Sequence, residues 1–408
     1  MPGKHASLLT HLHPADLRGL ARLLVGATAG LTDVVESVHE AIARPIVGVA
    51  GTGRTRGLTG FVYGRVRGVT RLIGGGLDAV LGQFRPTLSG RASSPEREAV
   101  LAALNGVLGD HLVASQNPLA ISMSLRRRGQ SLTIETPALA AAFPAAFAKV
   151  VVLIHGLCRN DLQWATDGHD YGAVLAQHLD FTPLYLRYNS GLHTSINGRA
   201  LAEMLECLVK HWPRPVDELA IVSHSMGGLV ARSACHYGKA AGHAWLKPMR
   251  KLVFLGTPHH GAPLERGGNV LDVILGATPF SAPFARIGKI RSAGITDLRH
   301  GNVLDEHWTG RDRFERASDT DRLVPLPNGV QCYAIAATTG HTRGDLRDRL
   351  LGDGLVPVRS ALGLHDDPQL SLDFPASQQW VALGMNHMEM LARTEVSDQI
   401  VRWMAKGE

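Results

Sequence analysis

The sequence predicts an α/β fold: a mainly parallel sheet covered on both faces by helices. Two observations carry this. From Ser131 onward, short apolar runs alternate with amphipathic helical stretches, the pattern of strands joined by helical crossovers. The run Val150–His155 is almost continuously apolar, as expected of a strand buried on both faces rather than one.

The strands expected in order are Ser131–Glu135, which would open the sheet, then Val150–His155, Pro183–Tyr188, Leu219–Ser223, Lys251–Leu255, Val330–Ala336 and Trp380–Leu383. Helices fill the gaps. Ala200–Trp212 places Leu201, Leu205, Leu208 and Trp212 on one face, and Met226–Tyr237 follows a strand with almost no intervening loop. A further helix is expected at about Glu96 to Leu112, after a Pro, Gly and Ser-rich linker over residues 85–95. The expected organisation is therefore a helical, basic region at 1–90, a linker and helix at 91–130, and a catalytic domain at 131–408 with a cap at about 262–325.

The 408 residues include 45% hydrophobic and 19% charged, a globular balance, and no uncharged apolar run approaches the ~20 residues of a membrane-spanning helix. The net charge of +6 is uneven. Residues 1–130 carry 15 Lys and Arg against 8 Asp and Glu, a balance of +7, while the remainder carries 27 against 28, or −1. Within the basic third, Val62, Val66, Val69, Ile73, Leu77, Val80 and Phe84 form a helical apolar stripe beside the small-residue ridge Gly60, Gly64 and Gly68. A hairpin packed on the main domain is one reading, and peripheral contact with an anionic membrane or lipid surface through residues 1–90 is the other. Asp16, Arg18 and Arg22 interrupt the place where a signal peptide would be apolar, and Cys158, Cys207, Cys235 and Cys332 show no CxxC spacing. A cytoplasmic location, with or without membrane association, is expected, as are no cofactor, no metal and no nucleic-acid partner.

The stretch Ile221-Val222-Ser223-His224-Ser225-Met226-Gly227-Gly228 reads as strand, sharp turn and helix, and it resembles the nucleophile elbow of α/β-hydrolases. Such a turn exposes a hydroxyl, and small neighbours let strand and helix pass closely. Ser223 stands where the G-x-S-x-G pattern has its first glycine, so slight crowding is expected. A serine hydroxyl needs an imidazole to take its proton and a carboxylate to orient that imidazole. His387, in Gly384-Met385-Asn386-His387-Met388-Glu389-Met390, lies between the last strand and the final helix, where this fold presents its base. Asp353, in Leu351-Gly352-Asp353-Gly354-Leu355-Val356, resembles the acid turn of bacterial lipases; Asp345, Asp348, Asp366 and Asp367 compete from charged loops. The order Ser225, Asp353, His387 is the family's order.

His155-Gly156-Leu157 resembles the H-G segment of lipases, which implies that the amides of Leu157 and Met226 form an oxyanion hole, with Gly156 allowing close approach. His155 itself receives a structural reading, as do His259 and His260, which have no carboxylate or cysteine at ligand spacing. Across about residues 130–405 the chain resembles bacterial lipases and esterases and, more distantly, GPI inositol-deacylase-like hydrolases. The resemblance implies a serine hydrolase acting on ester or lipid substrates. A thioesterase or acyltransferase using the same three residues is an alternative, as is a lipid-interface or partner-binding protein with a hydrolase-like scaffold. The apolar residues of 262–325 would form an acyl pocket or lid, or else merely pack on the core.

Overall fold

The computed structural model describes Gly19, Arg22, Ser93 and residues 95–166, 168–262, 292–310, 324–341 and 352–406. The stripe over 58–84, most of the expected basic region and linker, much of the expected cap, and Asp345 and Asp348 lie outside the described residues. The chain divides into two compact units, Glu98–His111 with Ile121–Glu408, and Met1–Arg97 with Leu112–Ala120. In the second of these, Asn117 Nδ2 donates to the Gly19 carbonyl at 3.0 Å and Asn117 Oδ1 accepts from the Leu119 amide.

The larger unit is built on an eight-stranded sheet. Its chain order begins with the Glu98–His111 part of helix α1 (Pro95–Ala114), the hairpin β1 (Ser124–Arg127) and β2 (Gln130–Ser131), helix α2 (Thr136–Ala142) and strand β3 (Lys149–Ile154). A short ribbon, β4 (Ala165–Thr166) with β5 (His169–Asp170), leads into α3 (Tyr171–Leu179) and β6 (Phe181–Arg187). Then come α4 (Thr194–His211), β7 (Glu218–His224), α5 (Met226–Ala240), β8 (Met249–Leu255), α6 (Ala293–His300), β9 (Gln331–Thr338), α7 (Val358–Ala361), β10 (Gln379–Leu383) and α8 (Thr394–Met404). The strand order is β10-β9-β8-β7-β3-β6-β1-β2, parallel from β10 through β6, with β1 antiparallel to β6.

Why the strands read as continuous apolar runs is visible in the core. Val150, Val152, Ile154, Ile221 and Phe254 point to one face, under Leu201, Leu205 and Leu208 of α4 and Val230 and Ala234 of α5. Val151, Leu153, Val222, Val253 and Ile335 point to the other, under Tyr171 and Leu175 of α3 and Val396, Ile400 and Trp403 of α8. Alternate residues of β3 beyond Lys149 thus enter two different apolar layers, which is why this strand reads as an unbroken apolar run.

Two elements differ from expectation. The sheet does not open at Ser131–Glu135; it opens with the β1–β2 hairpin, turned at Arg128 and Gly129 with φ of 47° and 74°. The run Arg126-Arg127-Arg128 looks like a solvated loop. Yet Arg126 is buried, its guanidinium bonded to Glu98 of α1 at 3.0 Å and to Asp161 at 2.8 Å, while Glu98 also accepts from Arg187 Nε at 2.8 Å. Removing Glu98 would leave two desolvated guanidinium groups short of a counter-charge. Glu98→Leu is therefore expected to lower stability by about 3–5 kcal/mol in urea unfolding; a loss below about 1 kcal/mol would show that this network does not hold the hairpin.

The second difference is α4, which starts at Thr194 rather than Ala200. Its first turn is capped from 103 residues away, where Asp297 Oδ2 of α6 accepts from the Thr194 amide at 2.7 Å and pairs with His193 Nδ1 at 3.0 Å. A carboxylate at a helix N-terminus satisfies an orphan amide and opposes the helix dipole.

The chain runs from β3 to β6 on one side, then crosses back to place β7 on the other side of β3. This reversal opens a crevice at the carboxyl ends of β3 and β7, the place where open parallel sheets bind ligands.

Candidate active site

At that crevice β7 ends, Ser225 turns the chain with φ 54° and ψ −126°, and α5 begins at Met226. A non-glycine residue at positive φ is strained and persists only where its surroundings fix it. Here the Ser225 amide donates to the Leu255 carbonyl at 2.8 Å, and the Gly228 amide to the Ser225 carbonyl at 3.0 Å. The glycines follow from proximity: a Cβ on Gly227 would sit 2.5 Å from the Ile154 carbonyl oxygen, and one on Gly228 2.0 Å from Thr257 Oγ1. Ser223 causes no opening of the turn, because its buried hydroxyl donates to the Val253 carbonyl at 3.0 Å on the neighbouring strand.

Asp353 and His387 meet. Asp353 Oδ2 accepts from His387 Nδ1 at 2.7 Å, and both residues are buried. The other carboxylate oxygen accepts from the Leu355 and Val356 amides at 2.9 and 2.8 Å, and the His387 amide donates to the Asp353 carbonyl at 3.0 Å. Gly352, at φ 53°, has no room for a side chain: a Cβ would lie 2.1 Å from the Val356 carbonyl oxygen. The His387 loop is braced by a reciprocal pair. Asn386 Oδ1 accepts from the Met388 and Glu389 amides, and Glu389 Oε2 from the Asn386 amide, each at 2.9 Å. Of the competing carboxylates, Asp366 is exposed beside Arg359 and Asp367 caps the Gln369 amide.

Gly256, the residue after β8, joins the two halves. It follows Leu255, the partner of the Ser225 amide, and a Cβ on it would lie 2.9 Å from His387 Cε1. His224 ties them from below, through a 3.2 Å hydrogen bond from its Nε2 to the His387 carbonyl, with the two rings 4.6 Å apart. Sequence reasoning gave His224 no role, because the position between the two flanking residues of an elbow motif is the unconstrained one.

Leu157 and Met226 pack side by side in one apolar cluster with Ala103 and Val107 of α1 and Ile295 and Leu298 of α6. Their backbone amides have no hydrogen-bond partner among the described residues. The Leu157 loop approaches closely, since a Cβ on Gly156 would sit 2.9 Å from Ser225 Cβ. Two free amides beside a serine at the start of a helix are suited to hold a developing oxyanion.

His155 is locked away from this chemistry: Tyr188 donates to its carbonyl at 2.8 Å and stacks on its ring at 4.3 Å. His259 turns to Arg232 and Phe254, and His260 to the Gly363 carbonyl. Among the described residues no group of three or more His, Cys, Asp or Glu side chains is placed to hold a metal.

Burial pushes the imidazole of His155 down to about 3 and those of His224 and His259 well below the ordinary histidine range, with neighbouring cations adding to the effect. These rings stay neutral in the fold but protonate in the unfolded chain below pH ~6.5. Stability is then full above that pH and is lost as the pH falls, each ring contributing a slope of up to about 1.4 kcal/mol per pH unit. Urea unfolding is expected to show a loss on the order of 3–4 kcal/mol between pH 7.5 and 5.5. A flat profile would contradict the burial of these rings.

Residues 148–325 match the family model PGAP1, described as a PGAP1-like alpha/beta domain, which spans β3 through the elbow and stops before β9. Together with the sheet order and the elbow, this decides the architecture. The chain has the α/β-hydrolase fold. Asp353 and His387 lie beyond the matched segment. Among solved structures it is similar to a mature Bacillus licheniformis lipase, 16% identical over 63% of this chain and 91% of that one, with a TM-score of 0.40. It is also similar to Aspergillus fumigatus lipase B, 13% identical over 68% and 59% with a TM-score of 0.40, and to a Pyrococcus furiosus esterase, 14% identical over 64% and 81% with a TM-score of 0.35. No curated protein matches the chain.

Proposed function

We propose that this α/β-hydrolase is a serine hydrolase that cleaves carboxylic esters through an acyl-enzyme on Ser225. The observation that carries the reading is the 2.7 Å contact of buried Asp353 with His387 Nδ1, made at the same strand ends as the strained Ser225 elbow. With Nδ1–H held by the carboxylate, the neutral imidazole keeps its lone pair on Nε2, the nitrogen free to accept a proton. Ser225 Oγ attacks the ester carbonyl as His387 Nε2 takes the hydroxyl proton, and the tetrahedral oxyanion is held by the Leu157 and Met226 amides. Collapse returns the proton to the departing alcohol. Water, deprotonated by the same nitrogen, then attacks the acyl-enzyme, and Ser225 is regenerated with release of the acid. Asp353 orients the ring and stabilises the imidazolium without itself taking the proton.

A fluorophosphonate probe on the purified chain, followed by a panel of short and medium acyl esters, tests this. Labelling at Ser225 with ester turnover supports the reading; turnover that survives without Ser225 labelling refutes it. Among the described residues no helix is long and apolar enough to cross a membrane. The four cysteines are free thiols, and this supports a reducing, cytoplasmic setting.

A further inference from the structure

Helix α1 precedes the sheet in the chain, yet one of its turns rests on the loop that carries the Leu157 amide. Gly156–Arg159 is a four-residue turn, closed by the Arg159 amide donating to the Gly156 carbonyl at 3.3 Å. Its third residue, Cys158, has φ 59°. That place in a type II turn demands positive φ and is normally filled by glycine or asparagine, so a cysteine persists there only where its surroundings hold it. Burial pushes the Cys158 thiol up to about 12, which keeps the sulfur a neutral packing group.

The surroundings come from two directions. In the loop after β6, Ser190 Oγ accepts from the Cys158 amide at 3.1 Å, and both residues are buried. From α1, the Ala103 carbonyl accepts from the Cys158 thiol at 3.9 Å. Gly106, one turn further along α1, lies directly on the bend: a Cβ there would sit 2.2 Å from Cys158 Sγ and 3.0 Å from both its Cα and its amide nitrogen. Helix α6 pins these supports in turn. Ser292 Oγ donates to the Gly106 carbonyl at 2.6 Å, and the Ala293 amide to Asp110 Oδ2 at 3.0 Å. A Cβ on Gly294 would lie 2.0 Å from the Ser190 carbonyl oxygen, so α6 bears on the Ser190 loop as well. The bend at Cys158 cannot relax without displacing α1, α6 or that loop, and the Leu157 amide belongs to the same turn.

We propose that Gly106 and Ser190 are positioning residues for the oxyanion hole, which together hold Cys158 in its left-handed bend and so aim the Leu157 amide at the Ser225 adduct. The proposal rests on the serine-hydrolase reading and makes α1 part of the catalytic apparatus. Both residues act through Cys158 and take no part in the proton transfers.

Initial rates of the purified full chain on a short acyl ester, with kcat separated from KM, test this. Gly106→Ala drives a methyl group into the bend and is expected to lower kcat by about tenfold or more while KM stays within about twofold, because an amide aimed at the oxyanion acts on the transition state rather than on the bound ester. Ser190→Ala, which releases the Cys158 amide, is expected to do the same. A trifluoromethyl ketone, whose adduct with Ser225 carries an oxyanion, should lose affinity by the same factor in each variant. Cys158→Gly accepts the same φ and removes the sulfur, so combining it with Gly106→Ala is expected to recover most of the lost kcat. Thermal midpoints accompany every rate.

Wild-type kcat in folded Gly106→Ala and Ser190→Ala, a loss confined to KM, or a double variant no faster than Gly106→Ala would overturn the proposal. If Gly106→Ala does not fold, Ser190→Ala decides through kcat and the ketone. A wild type that neither cleaves ester nor takes the fluorophosphonate removes the serine-hydrolase reading and this proposal with it, whereas normal wild-type turnover with undiminished variants removes the proposal alone.

Discussion

Ser225→Ala is expected to lower ester turnover by a factor on the order of 10³ to 10⁶ while leaving the fold intact, measured as initial rates on a short acyl ester and as loss of fluorophosphonate labelling. The size of the effect follows from the mechanism: without Oγ no acyl-enzyme forms, and what remains is binding and the two oxyanion amides acting on water. The fold should survive for a structural reason. Ser225 Oγ makes no hydrogen bond among the described residues, so its loss orphans no partner there, and alanine keeps the Cβ that packs over Gly156. The backbone strain at φ 54° is the same for either residue. Undiminished turnover by a folded Ser225→Ala protein would remove the serine from the reaction.

Asp353→Asn should cost on the order of 10³ to 10⁴ in kcat, and the hydrogen bonds of Asp353 say why. Oδ1 accepts from two amides, those of Leu355 and Val356. An asparagine at 353 must leave its carbonyl oxygen there, which turns its NH₂ toward His387 Nδ1. Two donors cannot face each other, so His387 carries its proton on Nε2 and has no lone pair for the Ser225 hydroxyl. The test is turnover across the pH range with a thermal midpoint alongside. A variant that folds and retains more than about a tenth of wild-type kcat would show that the carboxylate does not set the ring's tautomer.

The elbow was legible because its constraints are local. A buried strand, a turn at Ser225 and a helix opening with two glycines are all contained in a dozen residues, and Ser223 could replace glycine because a neighbouring strand carbonyl accepts its hydroxyl. The long buried strands were legible for a similar reason, since both of their faces enter apolar layers and leave unbroken runs in the chain. Strand β1 was not. Three consecutive arginines conceal it, and the contacts of Arg126 with Glu98, Asp161 and the Gly129 carbonyl make its burial tolerable. The start of α4 was hidden as well, because Asp297, which caps it, lies more than a hundred residues downstream.

The sequence by itself determined the α/β class, the turn at Ser225 between strand and helix, and the order of Ser225, Asp353 and His387 along the chain, because periodicity and turn chemistry act over short stretches of chain. Only the tertiary structure decided that Asp353, rather than the exposed Asp366 or Asp367, meets His387, and that His224 supports the His387 loop. Each of these depends on which side chains lose water together. That is settled by the crossing of strands at the sheet's reversal, where segments far apart in the chain share one desolvated space.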